Sequence, residues 1–428
     1  MRSCNRNNGN NVGNVNTSGN CGNNNANNGN FAAPDSAETR TWSIHAVSEI
    51  REVGTGSLRP VGAIPEQRRE WHAPVLRDDG TSATSTIDQE DVIGFDALWE
   101  SMMRCRRGVM WKASVQSFVL NGPENIARLC DELHDGTYRP RKTTMFTVTS
   151  PKRREIMAIP FRDRVVQRSY NDNAIYPCMS RGWIYDNAAC QTGKGTDFAR
   201  RRMRCHLERH ARKHGTEGGV LIVDVRGYYA HLRMDVMERR FRRRCPPWAA
   251  DFAMRTMRGQ YGEVGVSPGS QLAQIAGVDY LDPVDHAIKE RMGIRGYVRY
   301  MDDLVLVHED TDHLRACRAE IAERLREIGL EPHPTKTRIV RIGERFPFLG
   351  FDWRLAPDGH AVMTLRKESV KRMRRRVRRL AALEARGLRA EGTAAMAYEG
   401  WRAHAEKGDN PRLLEKSDEW FSRLRSET

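Results

Sequence analysis

Long apolar runs are missing from this sequence. The longest, around Val220 to Val225, falls well short of the ~20 residues that a membrane-spanning helix needs. The N-terminus has no apolar core like that of a signal peptide, so a cytoplasmic protein is expected. Nine cysteines are present, yet no two form a C-x-x-C pair, which excludes a zinc ribbon or a dithiol redox motif. Cysteines scattered in this way are expected as buried free thiols. Acidic residues are the scarcer charge: 55 Asp and Glu stand against 70 Lys and Arg, a surplus of +15. That balance points to a polyanionic partner, nucleic acid first, with a merely basic soluble protein as the bland alternative.

Aromatic residues are absent from the first 30 positions, which hold 14 Asn. Such a stretch cannot bury enough apolar surface to offset chain entropy, and disorder is expected there. Irregular composition continues to about Glu90, and the patterning of a folded chain begins at Ile93-Gly94-Phe95. The 428 residues suffice for two or three packed units with a sizeable core.

Apolar spacing predicts helices over Phe95 to Tyr138, with Pro123-Glu124-Asn125-Ile126 opening one of them. Thr143 to Ile159 alternates like strand, and Arg164 to Tyr176 reads as helix. Gly218-Gly219 breaks the chain before VLIVDV, a compact buried strand, and a helix is expected after Tyr229. YVRYMDDLVLV, Tyr297 to Val307, places two apolar strands around an acidic pair and predicts a hairpin. Thr311 to Ile328 reads as an amphipathic helix stopped by Gly329, and Phe346 to Trp353 as a strand pair. Leu365 to Glu384 is expected as a basic helix with the apolar stripe Val370, Met373, Val377, Leu380 and Leu383. Nine basic residues and one acid lie between Arg366 and Arg379, a density that suits a surface laid on phosphates better than a plain solvated face.

The chemistry concentrates at Asp302-Asp303. Adjacent carboxylates after an apolar strand repel, and each raises the pKa of the other. A divalent cation resolves the repulsion, and Mg²⁺ prefers carboxylate and phosphate oxygens. A further carboxylate should come from a neighbouring strand, and Asp224 ends the buried LIVD run. An ordinary surface turn is the rival reading of the acidic pair.

Six blocks of the chain resemble those of reverse transcriptases, in that family's order, over about Phe95 to Leu424. They are REIMAIPFRDRVVQ (Arg154 to Gln167), ACQTGKGTDFA (Ala189 to Ala199), VDVRGYYAHL (Val223 to Leu232), YMDD (Tyr300 to Asp303), IGLEPHPTKT (Ile328 to Thr337) and FPFLGF (Phe346 to Phe351). The last looks like the primer grip. The resemblance implies an α+β right-hand polymerase. A disordered Asn-rich segment would occupy residues 1–90 and fingers 91–215. A palm with an antiparallel sheet backed by helices would occupy 216–355, and a basic helical thumb 356–428. It implies Mg²⁺, two ions, with Mn²⁺ as an alternative, and in-line phosphoryl transfer. Asp224 and Asp302 would ligate the metals with Asp303 supporting, and Lys336 would protonate the leaving pyrophosphate. Lys152 and Arg154 would bind the incoming triphosphate. Tyr229 would be a steric gate against a ribose 2′-hydroxyl. Lys194, Arg372, Arg375 and Arg379 would lie on nucleic acid.

PGSQLAQ, Pro268 to Gln274, is similar to the motif of reverse transcriptases from diversity-generating retroelements, which end it in Ser-Gln. Pro268 and Ala273 depart from that group's pattern. Gly269 would let the backbone approach nucleotide and template, with Gln274 also at the nucleotide site. DYLDPVDHAIKE, Asp279 to Glu290, and the Asn-rich head resemble the same group, the head being similar to a translated template repeat. These likenesses imply a template RNA, a primer–template duplex, dNTPs and a small basic accessory protein as partners, and mutagenesis at template adenines. The chain has no Val-Thr-Gly signature of retron enzymes, and no further nuclease domain is expected after the basic helix. A retron or phage-defence enzyme, and a silent RNA-binding protein on a polymerase fold, are the rivals. His206, His210 and His214 recur at zinc-like spacing, but in so basic a run a solvated or RNA-facing helix is expected instead.

Overall fold

The structure is a computed structural model, and it describes residues 87–148, 154–267 and 269–427. All of these lie in the unit Leu76–Thr428. The expected disorder of the head falls almost wholly outside the described residues.

Fifteen α-helices and nine strands are found among the described residues. The chain opens with α1 (Glu90–Ile93), α2 (Phe95–Cys105), α3 (Ala113–Leu120) and α4 (Gly122–His134). The β1 (Thr144–Val148) and β2 (Arg154–Ala158) ladder follows, and then α5 (Phe161–Tyr170). Helix α5 continues through a π-helical turn, Asn171–Ile175, into α6 (Tyr176–Ser180), a longer run than the expected helix. Next come α7 (Thr196–His214), β3 (Gly219–Asp224), a 3₁₀ turn at Tyr228–His231, α8 (Met234–Arg244), α9 (Pro247–Tyr261), α10 (Gln271–Tyr280) and α11 (Asp282–His286). The hairpin β4 (Gly296–Tyr300) and β5 (Asp303–His308) leads to α12 (Thr311–Glu327), β6 (Arg338–Arg341), β7 (Phe346–Phe348), β8 (Phe351–Leu355) and β9 (Ala361–Leu365). Three helices close the chain: α13 (Lys367–Ala385), α14 (Thr393–Ala405) and α15 (Pro411–Glu427).

The central sheet is antiparallel, in the order β4-β5-β3-β6. Side chains alternate across a strand, and here both faces are covered. Leu221, Val223, Leu304, Leu306 and Tyr297 face a core shared with Leu314, Cys317, Ile321 and Leu325 of α12. Val220, Ile222, Val298, Val305 and Val307 face a second core with Phe198, Met203 and Leu207 of α7. Double burial explains why these strands read as continuous apolar runs rather than alternating ones. At about 1.5–3 kcal/mol per buried aliphatic side chain, the sheet is a rigid floor for whatever its ends carry.

The second core also holds the small sheet β7-β8-β9, through Phe346, Phe351 and Trp353. Sequence patterning predicts a strand pair here; β9 makes it three. Leu365 was expected to start the basic helix but ends β9, paired with Phe351, and α13 begins at Lys367. Leu365 is drawn into the sheet because its side chain joins this core. Met373, Val377 and Ala381 of α13 pack with Ala394 and Tyr398 of α14 in a third, smaller cluster. No helix among the described residues is long and apolar enough to cross a membrane.

Candidate active site

Strand register brings the acidic residues together. Asp224, last in β3, pairs directly with Asp303, first in β5, and Tyr300 pairs with Asp303 from the other side. Asp302 sits in the two-residue turn between β4 and β5, and its carbonyl accepts from Val225 N at 3.4 Å. Met301, the other turn residue, has φ +56, in the left-handed region. The short turn thus forces the two carboxylates of YMDD to the end of the sheet, beside Asp224.

Burial, followed by the charges of Asp302 and Asp224, pushes the Asp303 carboxyl up to about 7. An acidic cluster of this kind favours a cation. In the structure a cation of the chain itself answers: Lys336 Nζ lies 2.9 and 3.1 Å from the two carboxylate oxygens of Asp224. Around it, Asp224 O accepts from His333 N at 2.6 Å, and Asp224 N donates to Thr337 Oγ1 at 3.3 Å. The loop carrying Lys336 is therefore stitched to the end of β3.

Hard carboxylate oxygens suit Mg²⁺, and the ammonium on Asp224 shows that a cation is accommodated there. Among the described residues, no three His, Cys, Asp or Glu side chains are grouped to enclose an ion by themselves. Such enclosure is not the polymerase arrangement, in which one or two carboxylates and substrate phosphates share the ion. The residues present fit a metal completed by nucleotide.

Tyr229 stands near this cluster. Its hydroxyl is held well above its ordinary range by burial, then by Cys190 and Asp302. A Cβ on Gly277 of α10 would lie 3.3 Å from Tyr229 Cε1, so the ring rests on that glycine. At Gly269 a Cβ would collide with the Met157 carbonyl of β2. The bare backbone of Gly269 packs α10's lead-in against the β1–β2 ladder, and it also lines the cavity that Gln274 borders. Gln274 lines a cavity of about 460 Å³ with Arg104, Arg107, Arg164 and Gln167.

Other expected residues are spread apart. Lys152 lies outside the described residues; Arg154 begins β2, and nothing is described of its side chain. Lys194 turns inward, donating to the carbonyls of Tyr185 at 2.8 Å and Asn187 at 3.1 Å. Arg372, Arg375 and Arg379 are exposed along α13, while Arg374 and Arg378 stack on Trp420 at 5.4 and 5.6 Å. The histidine repeat corrects its expectation: His206 and His210 are buried in α7 rather than solvated or RNA-facing. His206 Nε2 lies 3.4 Å from Asp186, and His210 Nε2 lies 2.7 Å from the Glu217 carbonyl. They are packing groups, because α7 turns that side onto the central sheet.

One residue had been passed over. Arg299 interrupts the apolar β4 strand immediately before YMDD, and it is completely buried. A charge inside an otherwise apolar strand was a visible signal.

Residues 142–353 match the family reverse transcriptase (RNA-dependent DNA polymerase). The matched span runs from just before β1 to Trp353 in β8, and so contains the whole central sheet and its carboxylates. The chain carries a reverse transcriptase domain there. It is an RNA-directed DNA polymerase, a nucleotidyltransferase. A search of curated proteins finds no match.

Proposed function

We propose that Asp224, Asp302 and Asp303 are the catalytic carboxylates of this polymerase, and that it serves a diversity-generating retroelement. It would copy a template RNA into cDNA for adenine-directed mutagenic retrohoming. The observation that carries the site is the register of Asp224 opposite Asp303, with Asp302 at the adjoining turn. The retroelement reading is supported by the Gln274 ending of PGSQLAQ and by the Asn-rich head. In this reading residues 91–215 are fingers, 216–355 palm and 356–428 thumb.

The chain's residues then divide the work. Asp224 and Asp302 hold two Mg²⁺ ions, with Mn²⁺ as an alternative, and Asp303 supports them. When bound, the ions supply activation of the primer 3′-hydroxyl and neutralise charge on the triphosphate. Lys336 is tethered on Asp224 within reach of the same oxygens, so it is positioned to give a proton to the departing pyrophosphate. Tyr229, backed by Gly277, walls the sugar pocket and excludes a 2′-hydroxyl. Lys152 and Arg154 engage the triphosphate, and Gln274 borders the nucleotide site. Arg372, Arg375 and Arg379 contact the template–primer duplex, and Lys194 does so only if it leaves the Tyr185 and Asn187 carbonyls. A small basic accessory protein assists.

Primer extension on a defined RNA template tests both levels. Asp302→Asn and Asp224→Asn are each expected to lower extension at least ~10³-fold while the protein stays folded. Full extension by either variant would refute the site. Sequencing of the cDNA is expected to show misincorporation concentrated opposite adenine; equal error at all four bases would reject the retroelement role and favour a retron or phage-defence enzyme.

A further inference from the structure

We propose that Arg299, locked to Asp285, is a positioning residue that holds the Tyr300–Asp303 turn in its catalytic shape. The inference rests on the reading that this turn carries the metal-binding carboxylates.

Both side chains are wholly buried, at 0% exposure. The guanidinium fork meets the carboxylate on two sides: Arg299 Nε lies 2.7 Å from Asp285 Oδ1, and Nη2 lies 2.6 Å from Oδ2. Tyr297 adds a third donor, with its hydroxyl 2.6 Å from Asp285 Oδ1. Burial pulls the guanidinium's pKa down, but Asp285 more than offsets that and holds it above its ordinary value.

The remaining donors go to two backbone carbonyls. Nη2 donates to Val278 O at 2.9 Å, and Nη1 donates to Met301 O at 3.0 Å. The second contact is the informative one. Met301, with φ +56, holds a conformation that L-residues with side chains rarely adopt. A buried, charge-assisted hydrogen bond to its carbonyl fixes the peptide that leads into Asp302. The backbone of Arg299 is tied as well: its N–H donates to Asp186 O at 3.1 Å, and its carbonyl accepts from Ala188 N at 2.9 Å.

Val278 makes the clamp more than a local brace. It follows Gly277, on which the Tyr229 ring rests, and the Gly277 carbonyl accepts from the Tyr228 hydroxyl. One planar group therefore joins α10, which shapes the sugar pocket, to the turn that presents the carboxylates. Lysine cannot replace it, because a single ammonium lacks a rigid fork aimed at a carboxylate and two carbonyls together.

Arg299→Lys, Tyr297→Phe and Asp302→Asn are compared by RNA-templated primer extension, thermal melting and Mn²⁺ binding followed by electron paramagnetic resonance. Arg299→Lys is expected to lower kcat about 10- to 100-fold and to weaken Mn²⁺ binding, with KM for dNTP changed less than about threefold. Tyr297→Phe keeps the Arg299 bonds to Asp285, Val278 and Met301, so it should lower the melting temperature and leave kcat within about twofold. A normal kcat for Arg299→Lys, or an equal kcat loss in Tyr297→Phe, overturns the inference. If Arg299→Lys does not fold, Asp285→Asn takes its place, with the same split between kcat and KM expected and an unchanged kcat overturning it. An active Asp302→Asn would instead overturn the reading of the turn itself.

Discussion

The Tyr229 ring lies against Gly277, where an added Cβ would come within 3.3 Å of it. If the ring is a gate, its removal should admit ribonucleotides. Tyr229→Ala is expected to raise rNTP incorporation relative to dNTP by about 10- to 100-fold, measured by competition in single-nucleotide extension. An unchanged ratio would make Tyr229 a core aromatic only. Gly269 gives a second test at this scale. Any Cβ there meets the Met157 carbonyl, which is strand backbone and cannot rotate away. Gly269→Ala should cost about 1–3 kcal/mol in a denaturant melt, because the chain before α10 must lift from β2. A silent substitution would show that this junction is loose. Of the candidate site residues, Asp224, Asp302 and Asp303 are legible because an acid ending an apolar strand stands out. Arg299 was equally visible in YVRYMDD, but its partner Asp285 lies 14 positions earlier, on another element, and no local rule pairs them.

At the scale of elements, α7 shows why periodicity misleads when charge dominates it. Its Arg-rich run suggested a wet helix, yet one side carries Phe198, Met203, His206, Leu207 and His210 into the protein. Burial, opposed by Asp186 for His206 and by the Glu217 carbonyl for His210, holds both imidazoles below the ordinary value of 6.5. A base with a lowered folded pKa binds fewer protons than its unfolded form. The stability it contributes is therefore complete above pH 6.5 and is lost as the pH falls through the folded value. Melting temperature should fall from pH 7 to pH 5 (about two units below neutrality), and less steeply in a His206→Gln/His210→Gln double variant. Equal pH slopes would remove these histidines as the cause. Helix α13 allows a test of a different kind. Arg374 and Arg378 are engaged with Trp420, while Arg372, Arg375 and Arg379 are exposed. Changing those three to Ala should reduce the salt slope of duplex binding by about 2.7, with little effect on melting. An unaltered slope would place the duplex elsewhere.

For the described molecule as a whole, the distribution of apolar contacts is uneven. Both faces of the central sheet belong to extensive cores, whereas α13 and α14 share only a small cluster of five fully buried residues, met at its edge by α15. Regions with fewer buried contacts open first. Hydrogen exchange should therefore be faster in Lys367–Ala385 and Thr393–Ala405 than in Gly219–Asp224 and Asp303–His308. Equal protection would mean that the C-terminal helices unfold only together with the sheet.

The sequence by itself determined what depends on neighbours along the chain. The buried strands, the turn that splits YMDD, the amphipathic stripe of α12 and the order of the motif blocks all follow from local spacing and residue type. Tertiary structure decided what depends on register and packing between distant segments. It set Asp224 opposite Asp303 across β3 and β5, laid Lys336 on the Asp224 carboxylate, and drew Leu365 into a third strand. It also turned His206 and His210 inward and closed the Arg299 fork on Asp285 and Met301. The physical reason is common to all of these. Each contact joins residues far apart in the chain, and its free energy arises from burial and charge pairing that exist only once the sheet has formed.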